Sequence, residues 1–441
     1  MNFSDLRLST PILNALEDLE FVYPTLIQTK CFRRISAGVD VVGIAQTGTG
    51  KTFAYLLPIL NQLEFTEQKH PRVIIIVPTR ELVIQVKQEV EKLSKYMNLR
   101  IKAVFGGANI NTQKEYVYTG GADIIIGTPG RLFDIAVTGV LRLSNIKKVV
   151  IDEVDEMLSL GFRPQLEQIF EMLPAKRQHL MFSSTLREDV NEFINSYFNE
   201  PEKIEVTEQS TPIEKIVQKV YLVPNFNTKL ELLKNLLSKD ESFVKNLVFV
   251  ANKKQADYVF ESMNELFPEQ IGVIHSNKSQ NFRFNSIKGF EKGKIKTLIA
   301  TDVVARGLDF TDISHVINMA PPENASDYIH RIGRTGRAEK DGNSVLMISP
   351  YEEENLKEIL KIAGKNVSME SLSTDVLVSK LLMEDEKTAN LQKNYIKAPN
   401  LKNSGGAFHE KGDKKLKTNS GGLRIKSKRK NIKRSGKSKR G

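Results

Sequence analysis

Ala45-Gln46-Thr47-Gly48-Thr49-Gly50-Lys51-Thr52 decides how the rest of this chain is read. An apolar, β-rich run from Val39 to Ile44 precedes it, and a helix-like stretch from Phe53 to Leu63 follows. Strand, loop and helix in that order are the setting of a phosphate-binding loop. Gly48 and Gly50 let the backbone curl until successive N–H groups face phosphate oxygens, with Thr49 between them. The helix start adds its partial positive charge. Lys51 can reach the outer phosphates, and the Thr52 hydroxyl can ligate Mg²⁺. Ala45 stands where the general pattern begins with Gly.

Outward from this loop, the apolar pattern predicts two α/β domains. Expected strands are Val39–Ile44, Val73–Val77, Ile101–Val104, Ile124–Ile126, Val149–Ile151 and His179–Phe182. A second series is Val217–Val223, Leu247–Val250, Ile271–Ile274, Thr297–Ala300, His315–Asn318 and Val345–Ile348. Near-continuous apolar runs of this kind suit parallel sheets covered on both faces. The expected boundaries are 1–206 for the first domain, 207–214 for a polar hinge and 215–365 for the second domain. A helical coda is expected from about Glu352 to Met383, giving a helical extension over 366–392, and a disordered basic tail fills 393–441.

Charge is concentrated in that tail. The whole chain of 441 residues carries +11, yet residues 401–441 alone hold fifteen Lys/Arg against Glu410 and Asp413. Lys393 and Lys397 extend the same run. The single cysteine, Cys31, excludes an intrachain disulfide framework and fits a reducing compartment. The start, MNFSDLRLST, lacks the basic and apolar segments of a signal peptide, and no apolar run reaches membrane-spanning length. A cytoplasmic protein with no membrane partner is expected.

The strand ending at Ile151 runs into Asp152-Glu153-Val154-Asp155. Carboxylates at the C-terminal end of a buried strand face the crevice where open α/β sheets bind ligands. Asp152 is placed to hold Mg²⁺ through its water shell, and Glu153 to orient or deprotonate an attacking water.

These four residues resemble the DEAD motif of DEAD-box RNA helicases, and other strings follow in that family's order. Phe3 and Phe21-Val22-Tyr23-Pro24-Thr25-Leu26-Ile27-Gln28 resemble the Q motif, which implies adenine recognition by Gln28. Pro78-Thr79-Arg80-Glu81-Leu82, Gly106-Gly107 and Thr128-Pro129-Gly130-Arg131 resemble the first-domain RNA-binding motifs. Ser183-Ser184-Thr185 stands where the family usually has Ser-Ala-Thr. Gln280 and Arg283, Thr301-Asp302 through Asp309, and His330-Arg331-Ile332-Gly333-Arg334-Thr335-Gly336-Arg337 complete the set. The resemblance implies two RecA-like domains in tandem and an RNA-dependent ATPase using ATP and Mg²⁺. It implies RNA contacts by Arg283, Thr301 and Asp302, and a ribose contact by Asp309. Asp155, Ser183, Thr185 and His330 are implied to couple the two domains, and Arg334 and Arg337 to act as arginine fingers. Three residues apart, those two arginines would point one way on a helical turn. Exposed glycines beside Thr79, Arg80, Thr128 and Arg131 suit reading of the sugar-phosphate backbone, hence RNA binding that is largely independent of sequence. Ribosomal RNA and degradation complexes are candidate partners.

Several positions depart from the family pattern. Glu20 stands where Gly is frequent, Leu26 where Pro is, and Val83, Val154 and Ser184 each where Ala is. Other readings remain open at this point. An ATP-gated RNA clamp with little unwinding would use the same residues, and a DNA helicase would share the phosphate contacts. A GTPase reading leans on Asn252-Lys253-Lys254-Gln255, in which Gln255 fills the place of the guanine-reading Asp.

Overall fold

The computed structural model describes residues 2–46, 48–206, 215–302, 310, 312–336, 342–384 and 386–387. The hinge at 207–214, the tail from 393, Thr47, Asp309 and Arg337 lie outside the described residues.

Among the described residues, fourteen strands form two sheets. The first set is β1 Val41–Ala45, β2 Val73–Ile76, β3 Ile101–Val104, β4 Ile124–Gly127, β5 Lys148–Asp152, β6 Gln178–Ser183 and β7 Glu202–Val206. The second is β8 Ile216–Leu222, β9 Asn246–Phe249, β10 Ile271–Ile274, β11 Thr297–Ala300, β12 His315–Asn318, β13 Gly342–Ile348 and β14 Val367–Glu370. The orders are β3-β4-β2-β5-β6-β1-β7 and β10-β11-β9-β12-β13-β8-β14. Every pairing is parallel. Alternation along each strand sends side chains to both covered faces: Val73 and Ile75 enter one core, Ile74 and Ile76 the other. These are two parallel α/β domains, as the apolar runs predict, with the tandem RecA-like plan that the resemblance implies, and both belong to one compact unit ending at Met383.

The register places the chemistry. Ile44 of β1 lies beside Ser183 of β6, and Phe182 of β6 beside Asp152 of β5. The phosphate loop, the acidic pair and the Ser183 loop therefore leave neighbouring strands at the same carboxyl edge.

The structure corrects the expected helical extension over 366–392. The helix Glu353–Ile362 ends with Ala363 as its cap and Gly364 at φ 78°, a conformation that suits glycine. Val367–Glu370 then pairs with β8 as an edge strand. A non-helical strap follows across the start of the helix Phe226–Lys239. Asn225 donates to the Ser379 carbonyl (2.6 Å), and the Ser379 N–H donates to Thr228 (3.1 Å). β7 was likewise not expected, because Glu202-Lys203-Ile204-Glu205-Val206 buries only Ile204 and Val206 and lacks an apolar run.

Two departures from the family pattern acquire physical reasons. Glu20 has φ 58° and closes the helix Thr10–Asp18. Its N–H reaches the Glu17 carbonyl, and the Phe21 N–H reaches that of Leu16, a left-handed closure in which glycine is least strained. Leu26 opens the helix Leu26–Ser36, the position where proline is well tolerated. Val83 and Val154 are fully buried in the two cores of the first domain.

Candidate active site and nucleic-acid interface

The helix Lys51–Asn61 starts directly after Gly50, whose φ is 87°. A Cβ there would lie 2.3 Å from the Gln28 amide nitrogen, so glycine is required for close approach as well as for backbone freedom. Gly48 is also left-handed, and Thr49 Oγ1 donates to the Gln46 carbonyl at 2.7 Å to tighten the turn. Lys51 is buried, and its Nζ has no hydrogen-bond partner within the protein. A buried ammonium without a hydrogen-bond partner is costly, so this cradle fits an anionic ligand. The residues present thus accept the triphosphate that the loop implies.

Gln28 accepts from the Thr25 N–H (3.0 Å) and donates to the Gly50 carbonyl (3.2 Å), tying the Q-like string to the loop. Phe3, grouped with the Q-like string, is buried with Leu6 and Leu8 in the hydrophobic core of the first domain. Phe21 is half exposed and meets Phe53 edge-on at 5.3 Å, next to Thr52.

Sequence reading missed Tyr55. Its wholly buried hydroxyl donates to Asp152 Oδ2 at 2.9 Å. It therefore holds in place the carboxylate suited to Mg²⁺. Burial, then the nearby Asp152 charge, pushes this phenol well above its ordinary range. Burial likewise raises Asp152, opposed by Lys51 and the Tyr55 bond. Glu153, in the left-handed region at φ 53°, is pushed up to about 7 by burial and by Asp152, with Lys51 and Arg334 pulling it down. A carboxylate tuned toward neutrality is suited to proton transfer.

Asp155 ties the loop after β6 into this cluster. Its Oδ2 accepts from the N–H and hydroxyl of both Ser184 and Thr185, at 2.7–3.2 Å. Burial would raise Asp155, but Lys51 and these bonds hold it below the usual carboxylate range. Ser183 donates to the Thr185 carbonyl at 2.6 Å. Ser184 Oγ also lies 3.0 Å from His330 Nε2 of the second domain. A cavity of about 30 Å³ lies between the domains, lined by Glu153, Asp155, Ser184, His330 and Arg334, room for a water by volume.

The helical-turn expectation for Arg334 and Arg337 does not hold for the described part. The helix Ala325–Ile332 stops with Gly333 as its cap, and Thr335 bridges to Ile313. Arg334 is delivered by a turn and is buried beside Glu153.

A second cluster spans the domains away from the phosphate loop. Arg80 opens the helix Arg80–Leu93, capped by Thr79, whose hydroxyl accepts from the Leu82 N–H at 3.2 Å. A Cβ at Gly107 would fall 2.1 Å from the Arg80 guanidinium, so this glycine makes room for it. Thr128 stands at the N-terminal cap position of the helix Pro129–Val137, and its Oγ1 accepts from the Gly106 N–H at 3.4 Å. Pro78 and Pro129 are buried, while Gly130 faces open space.

Three residues expected to meet RNA are engaged by protein groups. Arg131 donates to Gln113 (2.9 Å) and to the Ala108 carbonyl (3.0 Å). Arg283 pairs across the domains with Glu81 at 3.0 Å, both side chains being almost fully buried. Asp302 receives the fork of Arg331 at 2.6 Å on each oxygen, and that guanidinium lies over Phe249. Thr301 is buried at the end of β11. The Nε atoms of Arg131 and Arg283 remain buried without a hydrogen-bond partner, and the neighbouring arginine charges depress Arg80 after burial does. Such crowded cations favour an approaching phosphate. Arg331 and Glu81 had a sequence signal, since each sits inside a quoted motif, but nothing in the strings showed that they pair inward.

Asn252-Lys253-Lys254-Gln255 is a helix start. Asn252 accepts from the Gln255 N–H (3.0 Å), and Gln255 accepts from the Ala251 N–H (3.2 Å). Local capping uses both side chains, which removes the basis of the GTPase reading.

A glycine cradle, an orphaned lysine, an acidic strand end and a second domain closing over them define a P-loop nucleoside triphosphatase with a split site. The DEAD/DEAH box helicase family matches residues 25–193, and the helicase conserved C-terminal domain matches residues 228–339. The ATP-dependent RNA helicase RhlB of Pseudomonas syringae is 37% identical over 385 residues, covering 85% of this chain and 96% of that protein. The DEAD-box ATP-dependent RNA helicase CshA of Bacillus cereus is 36% identical, covering 90% of this chain and 75% of its own. In structure, S. cerevisiae Dbp5 bound to RNA and ADP BeF3 superposes with a TM-score of 0.75 at 25% identity, covering 89% of this chain and 98% of that one. The chain belongs to the DEAD-box helicase family. Among the described residues, no helix is long and apolar enough to cross a membrane.

Proposed function

We propose that this chain is an ATP-dependent RNA helicase that hydrolyses ATP to unwind or remodel short RNA duplexes or RNA–protein complexes, with Asp152-Glu153-Val154-Asp155 acting as its DEAD motif. Support comes chiefly from one arrangement: Glu153 and Asp155 of the first domain meet His330 and Arg334 of the second around one small cavity. Gln28 keeps one acceptor and one donor capacity beyond its internal bonds, enough to pair with an adenine edge, and Phe21 offers the base an apolar face. Gly48, Thr49, Gly50 and Lys51 bind the phosphates, while Thr52 and Asp152 would hold Mg²⁺ between them. The ion, when bound, neutralises charge on the outer phosphates. Glu153 takes the proton of the attacking water, and Arg334, with Arg337, steadies charge growing on the transferred phosphoryl group. Asp309 contacts the ribose. Arg80, Gly106, Gly107, Thr128, Arg131, Arg283 and Thr301 line the RNA backbone path. Asp302 acts by holding Arg331 in place. The protein works in the cytoplasm on RNA of little sequence restriction, with ribosomal RNA and degradation complexes as candidate partners.

The test is strand separation under multiple turnover, with ATP, on RNA and DNA duplexes of equal sequence. RNA unwinding by wild type, lost in Glu153→Gln while ATP-dependent RNA binding persists, is the expected result. Hydrolysis without strand separation would support the RNA clamp instead, and equal unwinding of DNA would remove the RNA restriction.

A further inference from the structure

Ser184 occupies the one place where the family's Ser-Ala-Thr pattern is altered, and its added hydroxyl lies between two charged or titratable groups from different domains. Ser184 Oγ is 2.7 Å from Asp155 Oδ2 and 3.0 Å from His330 Nε2. The Ser184 N–H reaches the same carboxylate oxygen at 3.2 Å, so the residue is anchored on the first domain at two points. His330 comes from the last turn of Ala325–Ile332 in the second domain. The protons can be assigned. Asp155, held ionised, can only accept, so the Ser184 hydroxyl proton points to it. Burial keeps His330 below its ordinary range, so its ring is neutral and carries one N–H. The Ser184 lone pairs then accept that N–H, giving a continuous chain from His330 through Ser184 to Asp155.

We propose that the Ser184 hydroxyl is the link that couples Asp155 to His330, making Ser184 a positioning residue that stabilises the closed arrangement of the two domains. The inference rests on the helicase reading above. An alanine at 184 would keep the backbone bond to Asp155 but remove the atom that His330 meets. The phosphate cradle, which belongs to the first domain and does not touch Ser184, would be spared. The ATP-dependent gain in RNA affinity, which needs both domains, would fall. A neutral hydrogen bond lost at a partly buried site corresponds to roughly a three- to tenfold change in an equilibrium constant.

The experiment uses the full chain, a fluorescein-labelled oligouridylate and adenylyl imidodiphosphate. RNA affinity is measured with and without the nucleotide for wild type, Ser184→Ala, Ser184→Thr, His330→Ala and the Ser184→Ala/His330→Ala double variant. The expected result is a loss of about three- to tenfold in the nucleotide-dependent gain for Ser184→Ala, with nucleotide affinity within twofold of wild type. Ser184→Thr, which retains the hydroxyl, should restore most of the gain, and the double variant should be no worse than His330→Ala alone. Full additivity of the two single losses, a threonine variant as weak as alanine, or an equal fall in nucleotide affinity would overturn the proposal. A wild-type protein whose RNA affinity ignores the nucleotide would instead sink the helicase reading, and this inference with it.

Discussion

The two sheets share one strand order, yet the position after the strand next to the edge is used in opposite ways. After β1, two left-handed glycines open a cradle and Lys51 Nζ is left without a hydrogen-bond partner. After β8, Asn225 instead caps the helix Phe226–Lys239, accepting from the Thr228 N–H at 2.9 Å. Lys229, wholly buried, donates to the Met319 carbonyl at 2.8 Å and pairs with Glu352. Glu352 also accepts from the Ser349 N–H and hydroxyl. A buried lysine in the second domain is thus satisfied from within, while its counterpart in the first is poised for an anion. Parallel architecture alone does not make a nucleotide site; a curled backbone and an unsatisfied cation do. The second domain contributes by lending His330, Arg334 and Arg283 across the gap.

Exchanging the roles of the two lysines gives the largest effects. Lys51→Ala should lower RNA-stimulated ATP hydrolysis by at least about a hundredfold, with little change in unfolding midpoint, because it removes a charge from the phosphate site. Lys229→Ala should do the reverse. It leaves Glu352 without its buried partner and should cost roughly 3–5 kcal/mol in urea unfolding of the second domain, while ATP affinity at permissive temperature stays near wild type. If Lys229→Ala weakened nucleotide binding directly, the division of labour between the sheets would be wrong.

The cross-domain ion pair sharpens the comparison further. Arg283→Met strands Glu81 in a buried position and should weaken ATP-dependent RNA binding by about a hundredfold. Adding Glu81→Gln should recover part of that loss, as seen by RNA titration with a bound ATP analogue. No recovery would mean that Arg283 acts on RNA alone.

Tyr55→Phe probes the hydrogen bond that holds Asp152 inside the first domain. The Mg²⁺ concentration for half-maximal nucleotide binding should rise about tenfold, measured by nucleotide fluorescence rather than turnover. An unchanged Mg²⁺ dependence would reduce Tyr55 to a packing residue. The smallest effect is expected at Glu20. Glu20→Gly relieves a left-handed residue and should stabilise the first domain by about 1 kcal/mol in urea, without affecting hydrolysis.

Much of this arrangement is legible in the sequence. Strands buried on both faces announce themselves as apolar runs, so β2, β4, β9 and β11 stand out, whereas the edge strands β7 and β14 do not. Their half-exposed residues carry charge or polarity outward and give no continuous run. Motif strings located the phosphate loop, the acidic strand end and the Ser183 loop. They did not reveal where side chains turn. Tyr55 reads as one more apolar position of a buried helix until its hydroxyl is found against Asp152. Arg283, Arg131 and Asp302 read as RNA ligands, yet each is fixed by a protein partner distant in sequence. Phe3 sits inside the core for the same reason any phenylalanine would. Periodicity encodes burial, but long-range pairing of polar groups depends on which strand ends lie side by side, and no local pattern carries that.

The split site is tested most directly through Arg334, which reaches Glu153 from the other domain. RNA-stimulated ATP turnover and nucleotide affinity should be measured on the same preparations of wild type and Arg334→Ala. A group that acts on the transition state across a domain gap should leave nucleotide affinity within a few-fold of wild type while kcat falls by roughly 10³-fold or more. A variant with near-normal kcat and weakened nucleotide binding would show that Arg334 serves ground-state binding, and that the catalytic site is not completed by the second domain.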